Sequence, residues 1–265
     1  MIPNILSIAG SDPSGGAGIQ ADLKAISANG GYAMAALTGM TAQNTCGVSA
    51  VELVTPAMVT AQIAAIRADI RVDAVKIGML GSAAIIAAVR DALAGLAAPI
   101  VLDPVMVAKG GDRLLAAEAV AALREILLPR AAVITPNLPE AADLLGCAPA
   151  QSRAEMVAQA RGLRVLGARA VYLKGGHLGG AVSPDLLLDA QGETWFEAPR
   201  IATQNTHGTG CTLSSALATQ LAQIPDLRAA AAAARSYTLR AIAAADRLSV
   251  GQGHGPLDHF FAQRS

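Results

Sequence analysis

The chain is short of aromatic rings and of charge. One Trp, three Tyr and three Phe stand in 265 residues, and only 15% of positions are charged. So few rings leave little on which unpaired bases could stack. Lys plus Arg is 20 and Asp plus Glu is 20, giving a formal net charge of zero. Without a basic excess to neutralise a phosphate backbone, nucleic-acid binding is not expected. Cysteine is scarce too: Cys46, Cys147 and Cys211 form no CxxC pair and no zinc-type spacing. A disulfide framework is not expected, and a reducing, cytoplasmic compartment fits best. His177, His207, His254 and His259 show no metal-ligand spacing, which argues against a histidine zinc site. The start, Met1-Ile2-Pro3-Asn4, lacks the basic segment of a signal peptide. The long uncharged stretches 25–51 and 201–225 are studded with Ser, Thr, Asn, Gln and Gly, so no membrane span is expected.

Apolar residues and glycine are plentiful. Hydrophobic residues make up 53%, which rules out a disordered chain. Glycine occurs 26 times, above the usual share of roughly 7%. Short apolar runs predict strands at 4–9, 32–41, 48–54, 74–77, 100–103, 132–135 and 170–174. A hairpin is expected at 183–189 and 193–197 around Gln191-Gly192. Helical patterns cover 18–29, 56–68, 82–96, 115–128, 138–145, 153–166, 209–223 and 227–248, with Thr55 as N-cap and Pro56 at a first helical position. Apolar strands alternating with helices imply an α/β fold, a mostly parallel sheet covered on both faces. No repeat, linker or composition break divides the chain, so residues 1–265 are expected to form one domain.

In such sheets ligands bind beyond the C-terminal ends of the strands. Those ends carry most of the chemistry here. Gly10-Ser11-Asp12-Pro13-Ser14-Gly15-Gly16-Ala17-Gly18 has neither the Lys-Ser/Thr of a Walker loop nor a GxGxxG pattern. It reads as a strand-to-helix turn, or as backbone brought close to a small ligand, with Asp22 one helical turn on. Thr41-Ala42-Gln43-Asn44-Thr45 offers the Gln43 amide, which donates and accepts in one plane and suits a heterocycle edge. Asp103, before Pro104, is a turn residue or a carboxylate near a cation. Asn137 in Thr135-Pro136-Asn137-Leu138-Pro139-Glu140 is a natural N-cap with Glu140 completing a capping box; alternatively both lie near a metal-bound triphosphate. Lys174, before Gly175-Gly176-His177, ends an interior strand: it meets an anion such as phosphate, or it is solvated in a turn.

Asn205-Thr206-His207-Gly208-Thr209-Gly210-Cys211 runs straight into a helix. Glycines there let successive N–H groups converge on an anion, and the helix N-terminus adds positive potential. The same field is expected to lower the Cys211 thiol pKa. The plainer reading is a glycine-rich cap with an inert cysteine. Gly110-Gly111, Gly179-Gly180 and the other loop glycines are also expected on the ligand edge.

Together and in this order, these motifs, with Lys76-Ile77-Gly78-Met79-Leu80 and Leu102-Asp103-Pro104-Val105-Met106, resemble the ribokinase-like superfamily. The resemblance is strongest to the bacterial hydroxymethylpyrimidine/phosphomethylpyrimidine kinases of thiamine biosynthesis, and it runs from about residue 4 to about residue 260. It implies a three-layer α/β/α sandwich with a mostly parallel central sheet. It implies ATP as donor with Mg²⁺, and phosphorylation of 4-amino-5-hydroxymethyl-2-methylpyrimidine to the monophosphate and then the diphosphate. By the same resemblance Gln43, Gly10 and Asp22 contact the pyrimidine, with Met79 and Val105 as apolar walls. Gly208, Thr209, Gly210 and Cys211 form the anion hole at the γ-phosphate. Lys174, Asn137 and Thr206 bind ATP, and Glu140 and Asp103 serve the metal. Residues 251–255 lie in a late loop, and a homodimer is implied, with 32–54 available as its interface.

Sugar kinases of the superfamily usually place an aspartate base where this chain has Cys211. A thiolate accepts a proton, but a loose transition state asks little of its base, so positioning and electrostatics could supply most of the rate. The nearest competing function is a pyridoxine/pyridoxal kinase of the Cys-containing type. From another class come a Cys/His hydrolase using Cys211 and His207, for which four residues across a turn is poor geometry, and a heterocycle-binding module without catalysis.

Overall fold

Strands and helices alternate for most of the chain. The computed structural model describes residues 1–106 and 117–264. The strands are β1 (Asn4–Ser11), β2 (Tyr32–Asn44), β3 (Gly47–Leu53), β4 (Ala74–Ile77), β5 (Ile100–Leu102), β6 (Val133–Ile134), β7 (Val171–Lys174), β8 (Val182–Asp189) and β9 (Gly192–Pro199). The helices are α1 (Gly18–Ala28), α2 (Pro56–Asp69), α3 (Ala83–Ala92), α4 (Ala117–Ala122), α5 (Leu138–Leu145), α6 (Arg153–Val165), α7 (Thr209–Leu221) and α8 (Leu227–Ala243). All nine strands among the described residues join one sheet in the order β3-β2-β1-β4-β5-β6-β7-β8-β9. The stretch from β2 to β7 is parallel; β3 adds antiparallel at one edge, and β8 and β9 follow as an antiparallel meander at the other.

Side chains alternate between the sheet's two faces, and each face has its own core. Leu6, Ile8, Val75, Ile77 and Leu102 pack with Val59, Ile63, Ile86, Leu144 and Leu163 of α2, α3, α5 and α6. On the other face Ile5, Ala74, Val101, Val133 and Tyr172 meet Ile26, Leu213, Leu217 and Ala231 of α1, α7 and α8. The result is the expected three-layer α/β/α sandwich. Two residues on from each of four apolar anchors of that second face stand Ser7, Lys76, Asp103 and Thr135, all buried. The face is therefore hydrocarbon at one end and polar at the other. β1 lies between β2 and β4, so the chain turns back across it after β3. That reversal opens a crevice at the strand C-termini.

The structure extends or reshapes several elements. β2 continues beyond 41 to Asn44, because its last positions alternate on an exposed pleat where polar side chains suit the solvent face. Asn44 Oδ1 accepts from the Cys46 and Gly47 N–H groups at 2.8 and 3.3 Å, closing the tight turn into β3. The helix expected at 115–128 begins where residues 111–116 lie outside the described residues, as do Gly110 and Gly111. From α4 it continues as a π-helical turn, Leu123–Leu127, and a 3₁₀ turn, Leu128–Arg130. Pro129 has no N–H and its ring crowds the preceding turn, so regular α geometry cannot run through it. α8 stops at Ala243 rather than 248; Asp246 in the following turn is held by Thr203 and Asn205.

Candidate active site

One cleft of about 790 Å³ opens over the crevice at the strand C-termini. Gly10, Gln43, Met79, Asp103, Val105, Asn137, Glu140, Lys174, Thr206, Gly208, Thr209, Gly210 and Cys211 all line it. These come from both halves of the sheet and from the start of α7.

At one end the wall is apolar and small. Gly10 lets the Met79 methyl lie against the backbone, since a Cβ there would fall 2.5 Å from Met79 Cε and displace it. Thr41 Oγ1 lies 2.9 Å from Ser11 O and 3.1 Å from Gln43 Oε1, so one hydroxyl ties the end of β1 to the Gln43 amide. At the other end the wall is charged. Lys174 Nζ lies 3.0 Å from Asp103 Oδ1 and 3.8 Å from Glu140 Oε2. Burial alone would lower the lysine pKa; Asp103 and Glu140 outweigh it and hold Lys174 above its usual value. Asp103 Oδ1 also accepts from Thr135 Oγ1 at 3.0 Å. Glu140 is the surplus carboxylate. Burial pushes its pKa up to about 7, against the pull of Lys174.

Asn137 and Glu140 form the capping box expected from sequence. Asn137 Oδ1 accepts from Glu140 N at 2.8 Å, and Glu140 Oε2 accepts from Asn137 N at 2.7 Å. The two readings of this motif are therefore compatible: the cap fixes both side chains at the cleft wall.

Between the two ends sits the start of α7. Gly208 has φ +79°, a conformation that disfavours any Cβ, and a Cβ there would meet Gly16 O at 1.8 Å. The first loop and the α7 loop thus interlock backbone to backbone. His207 Nε2 adds a 2.7 Å contact to Asp12 Oδ2, which also accepts from Ala17 N. Burial alone would raise the Asp12 pKa, but its bonds with His207 and Ser14 hold it below the usual carboxylate value. The first N–H groups of a helix lack intrahelical acceptors, and Gly210 and Cys211 present that turn to the cleft. A Cβ on Gly210 would sit 3.0 Å from Lys174 Nζ, so the glycine keeps the lysine beside the helix start.

Two expectations are corrected. Asp22 is fully buried and is not part of the cleft wall. It sits on the inward stripe of α1 with Ile19, Ala25 and Ile26, so it points at the sheet. There it accepts from Lys76 Nζ at 2.8 and 2.7 Å, from Ser7 Oγ at 2.6 Å and from Ser215 Oγ at 2.8 Å. The Cys211 thiol pKa is raised, to about 11, rather than lowered. Burial is the main cause, and Asp22 and Asp103 add to it; Lys76 and the Gly18 N–H pull the other way without prevailing. Sequence reading gave Lys76 no role, although a lysine inside the strand run 74–77 called for a buried carboxylate. It also missed the Asp12–His207 pair, which spans 195 residues.

Carboxylates and phosphates suit Mg²⁺, which commonly takes one or two protein carboxylates and completes its shell with substrate oxygens and water. Glu140 and Asp103 fit that donor set. Among the described residues there is no group of three or more His, Cys, Asp or Glu that could form an all-protein metal cage. No described helix is long and apolar enough to cross a membrane.

A mostly parallel sheet, a strand-end lysine and a glycine-rich helix start facing one cleft suit a small-molecule kinase of the ribokinase-like class, and the likeness to known proteins identifies it as one. The sequence profile of the phosphomethylpyrimidine kinase family matches residues 12–258. The hydroxymethylpyrimidine/phosphomethylpyrimidine kinase of Rhizobium meliloti is 53% identical over 255 residues, 96% of each chain. That of Salmonella typhimurium is 50% identical over 260 residues, 98% of each chain. Among solved structures, the Bacillus subtilis pyridoxal kinase in its ADP complex superposes with a TM-score of 0.91 at 37% identity, covering 100% of both chains. The chain belongs to the phosphomethylpyrimidine kinase family and is a phosphotransferase.

Proposed function

We propose that this kinase transfers the γ-phosphoryl group of ATP to the hydroxymethyl group of 4-amino-5-hydroxymethyl-2-methylpyrimidine, and then phosphorylates the monophosphate to the diphosphate for thiamine biosynthesis. The observation that carries this reading is the shared cleft: the Gln43 amide at its apolar end, Lys174 at its charged end, and residues 208–211 between them. In this reading Gln43 pairs with the aminopyrimidine edge between Met79 and Val105, beside Gly10. The backbone N–H groups of residues 208–211 receive the phosphoryl oxygens as charge develops on them. Lys174, Asn137 and Thr206 hold the ATP phosphates, and Cys211 accepts the hydroxyl proton. Glu140 and Asp103 would hold Mg²⁺, which screens phosphate charge when bound.

ADP and AMP-PCP complexes of similar pyridoxal kinases support ATP as the donor. Use of ATP also agrees with a cytoplasmic enzyme. A homodimer through the β2–β3 edge is part of the proposal; Met40, Val51 and Leu53 are exposed there. The likeness to pyridoxal kinases keeps vitamin B6 as the second reading. Mass spectrometry of a reaction holding ATP, Mg²⁺ and the aminopyrimidine alcohol tests the function, with a parallel reaction on pyridoxal. Monophosphate and diphosphate products are expected; a larger kcat/KM for pyridoxal would overturn the choice of substrate.

A further inference from the structure

The late loop at 251–255 is not part of the cleft lining, yet it touches both halves of the site. Gly253 N donates to Thr45 Oγ1 at 3.2 Å, and His254 N donates to Thr45 O at 3.0 Å. Thr45 begins the turn between β2 and β3, two residues beyond Gln43. The same loop then reaches the approach to α7. Gly255 N donates to Asn205 Oδ1 at 3.1 Å, and His207 N donates to Gly255 O at 3.0 Å. Asn205 Nδ2 is itself tied to Asp246 Oδ1 at 2.7 Å, so this anchor is fixed to the chain after α8.

Close approach explains the alternating glycines. A Cβ on Gly251 would fall 2.1 Å from Thr45 Oγ1, and one on Gly253 would fall 2.1 Å from Thr45 O. A Cβ on Gly255 would fall 2.2 Å from Asn205 Oδ1. Any side chain at these positions pushes the loop off one of its anchors. The β2–β3 turn has little else to hold it: Asn44, Cys46, Ser49 and Ala50 are exposed. Gly47 has nothing within 4 Å of a built Cβ. The hairpin tip is a two-stranded projection, and such projections are weakly stable unless packed on something.

We propose that residues 251–255 act as a strap that sets the distance between Gln43 and the start of α7, making Thr45 and Gly253 positioning residues for the acceptor alcohol rather than for ATP. The inference rests on the proposed function for the identity of that alcohol. The acceptor hydroxyl must lie near the anion hole while its ring rests on Gln43. A hairpin free to swing spoils this alignment, and a displacement of about 1 Å can cost up to roughly a hundredfold in rate. Of the proposed ATP contacts, Lys174 and Asn137 arise from β7 and the start of α5, which the strap does not touch; Thr206 lies between the anchors Asn205 and His207, at the opposite end of the strap from the Gly253–Thr45 contact.

Steady-state kinetics of Gly253→Ala, Thr45→Val and Thr45→Ser test it, each with the aminopyrimidine alcohol and with pyridoxal. In Gly253→Ala and Thr45→Val kcat should fall and the KM of whichever alcohol the parent uses should rise, together lowering kcat/KM about tenfold or more, with ATP KM within twofold of the parent, as misplacement of one partner predicts. Thr45→Ser, which keeps the hydroxyl, should behave like the parent. Hydrogen exchange on the parent should show residues 42–47 and 251–255 becoming protected together when the alcohol binds, a readout independent of turnover. Equal rises in both KM values, parent-like kinetics in Thr45→Val, or independent exchange of the two segments would each overturn the strap. A parent that phosphorylates neither alcohol would instead overturn the functional reading; hydrogen exchange of ligand-free Gly253→Ala would still decide the strap, since residues 42–47 should lose protection relative to the parent and unchanged exchange would overturn it.

Discussion

Lys76 Nζ lies 2.7 Å from Asp22 Oδ2, and neither side chain has any exposure to solvent. The pair joins α1 to β4 directly beneath the cleft. Buried pairs of this kind add little net stability when intact, because removing both ions from water offsets most of their attraction. Breaking one is another matter, since it strands the remaining charge in a medium of low dielectric constant.

Lys76→Met is therefore expected to destabilise the protein by about 3–5 kcal/mol. The double variant Lys76→Met/Asp22→Leu should recover most of that loss. Urea unfolding of the three proteins measures it; a loss below about 1 kcal/mol in the single variant would show that water or another cation compensates Asp22.

Cys211→Ala is expected to lower kcat about a hundredfold or more, the usual share of a positioned base, while changing the pyrimidine KM little. The raised thiol pKa adds a signature. With a value of about 11 the free enzyme holds a neutral thiol at pH 7. If Cys211 accepts the proton, kcat/KM should climb between pH 7 and 9 as the thiolate fraction grows. That slope should vanish in Cys211→Ala. Near-parent turnover of the variant would remove the base role.

Glu140 gives a stability prediction with a definite sign. Its folded pKa of about 7 lies above the ordinary glutamate value of 4.5. Between those values the folded state holds a proton that the unfolded chain has released, so stability falls as pH rises through that window. Glu140→Gln removes the titration while keeping an oxygen to accept from Asn137 N. Without nucleotide or metal, its Tm should match the parent near pH 4.5 and exceed it at pH 8. Melting curves at the two values decide it, and a variant less stable at pH 8 would contradict the assigned shift.

Gly208→Ala should damage the phosphate end selectively. Its φ of +79° and the 1.8 Å approach of a built Cβ to Gly16 O leave no room for a methyl group without moving a loop. Left-handed backbone alone costs an L residue roughly 1–2 kcal/mol. A large drop in kcat with the fold retained by circular dichroism is expected; parent-like kcat would show that the interlock does not shape the anion hole.

The sheet and most helices were legible in the sequence because period and punctuation agreed. Thr55, for example, caps α2 by accepting from Met58 N at 3.3 Å. Gly146 closes α5 in the left-handed conformation. The cleft wall was legible for the same reason: residues at strand ends reach one edge whatever the helices do. What stayed hidden depended on packing between distant segments. Asp22 reads as a residue near a glycine loop, and only the facing Lys76, 54 positions on, turns it into a buried counter-ion. The thiol field of Cys211 was misread because helix-start potential is visible in sequence, while burial and two neighbouring carboxylates are not.

The order of strands divides the cleft's labour along the chain. Under the proposed function the acceptor contacts come largely from β1, β2, β4 and Val105 after β5, and the ATP contacts from the start of α5, β7 and the approach to α7, while Asp103, also after β5, belongs to the charged end with Lys174. A new acceptor could be tried by altering residues in the first half of the chain while the donor machinery of the second half stays as inherited.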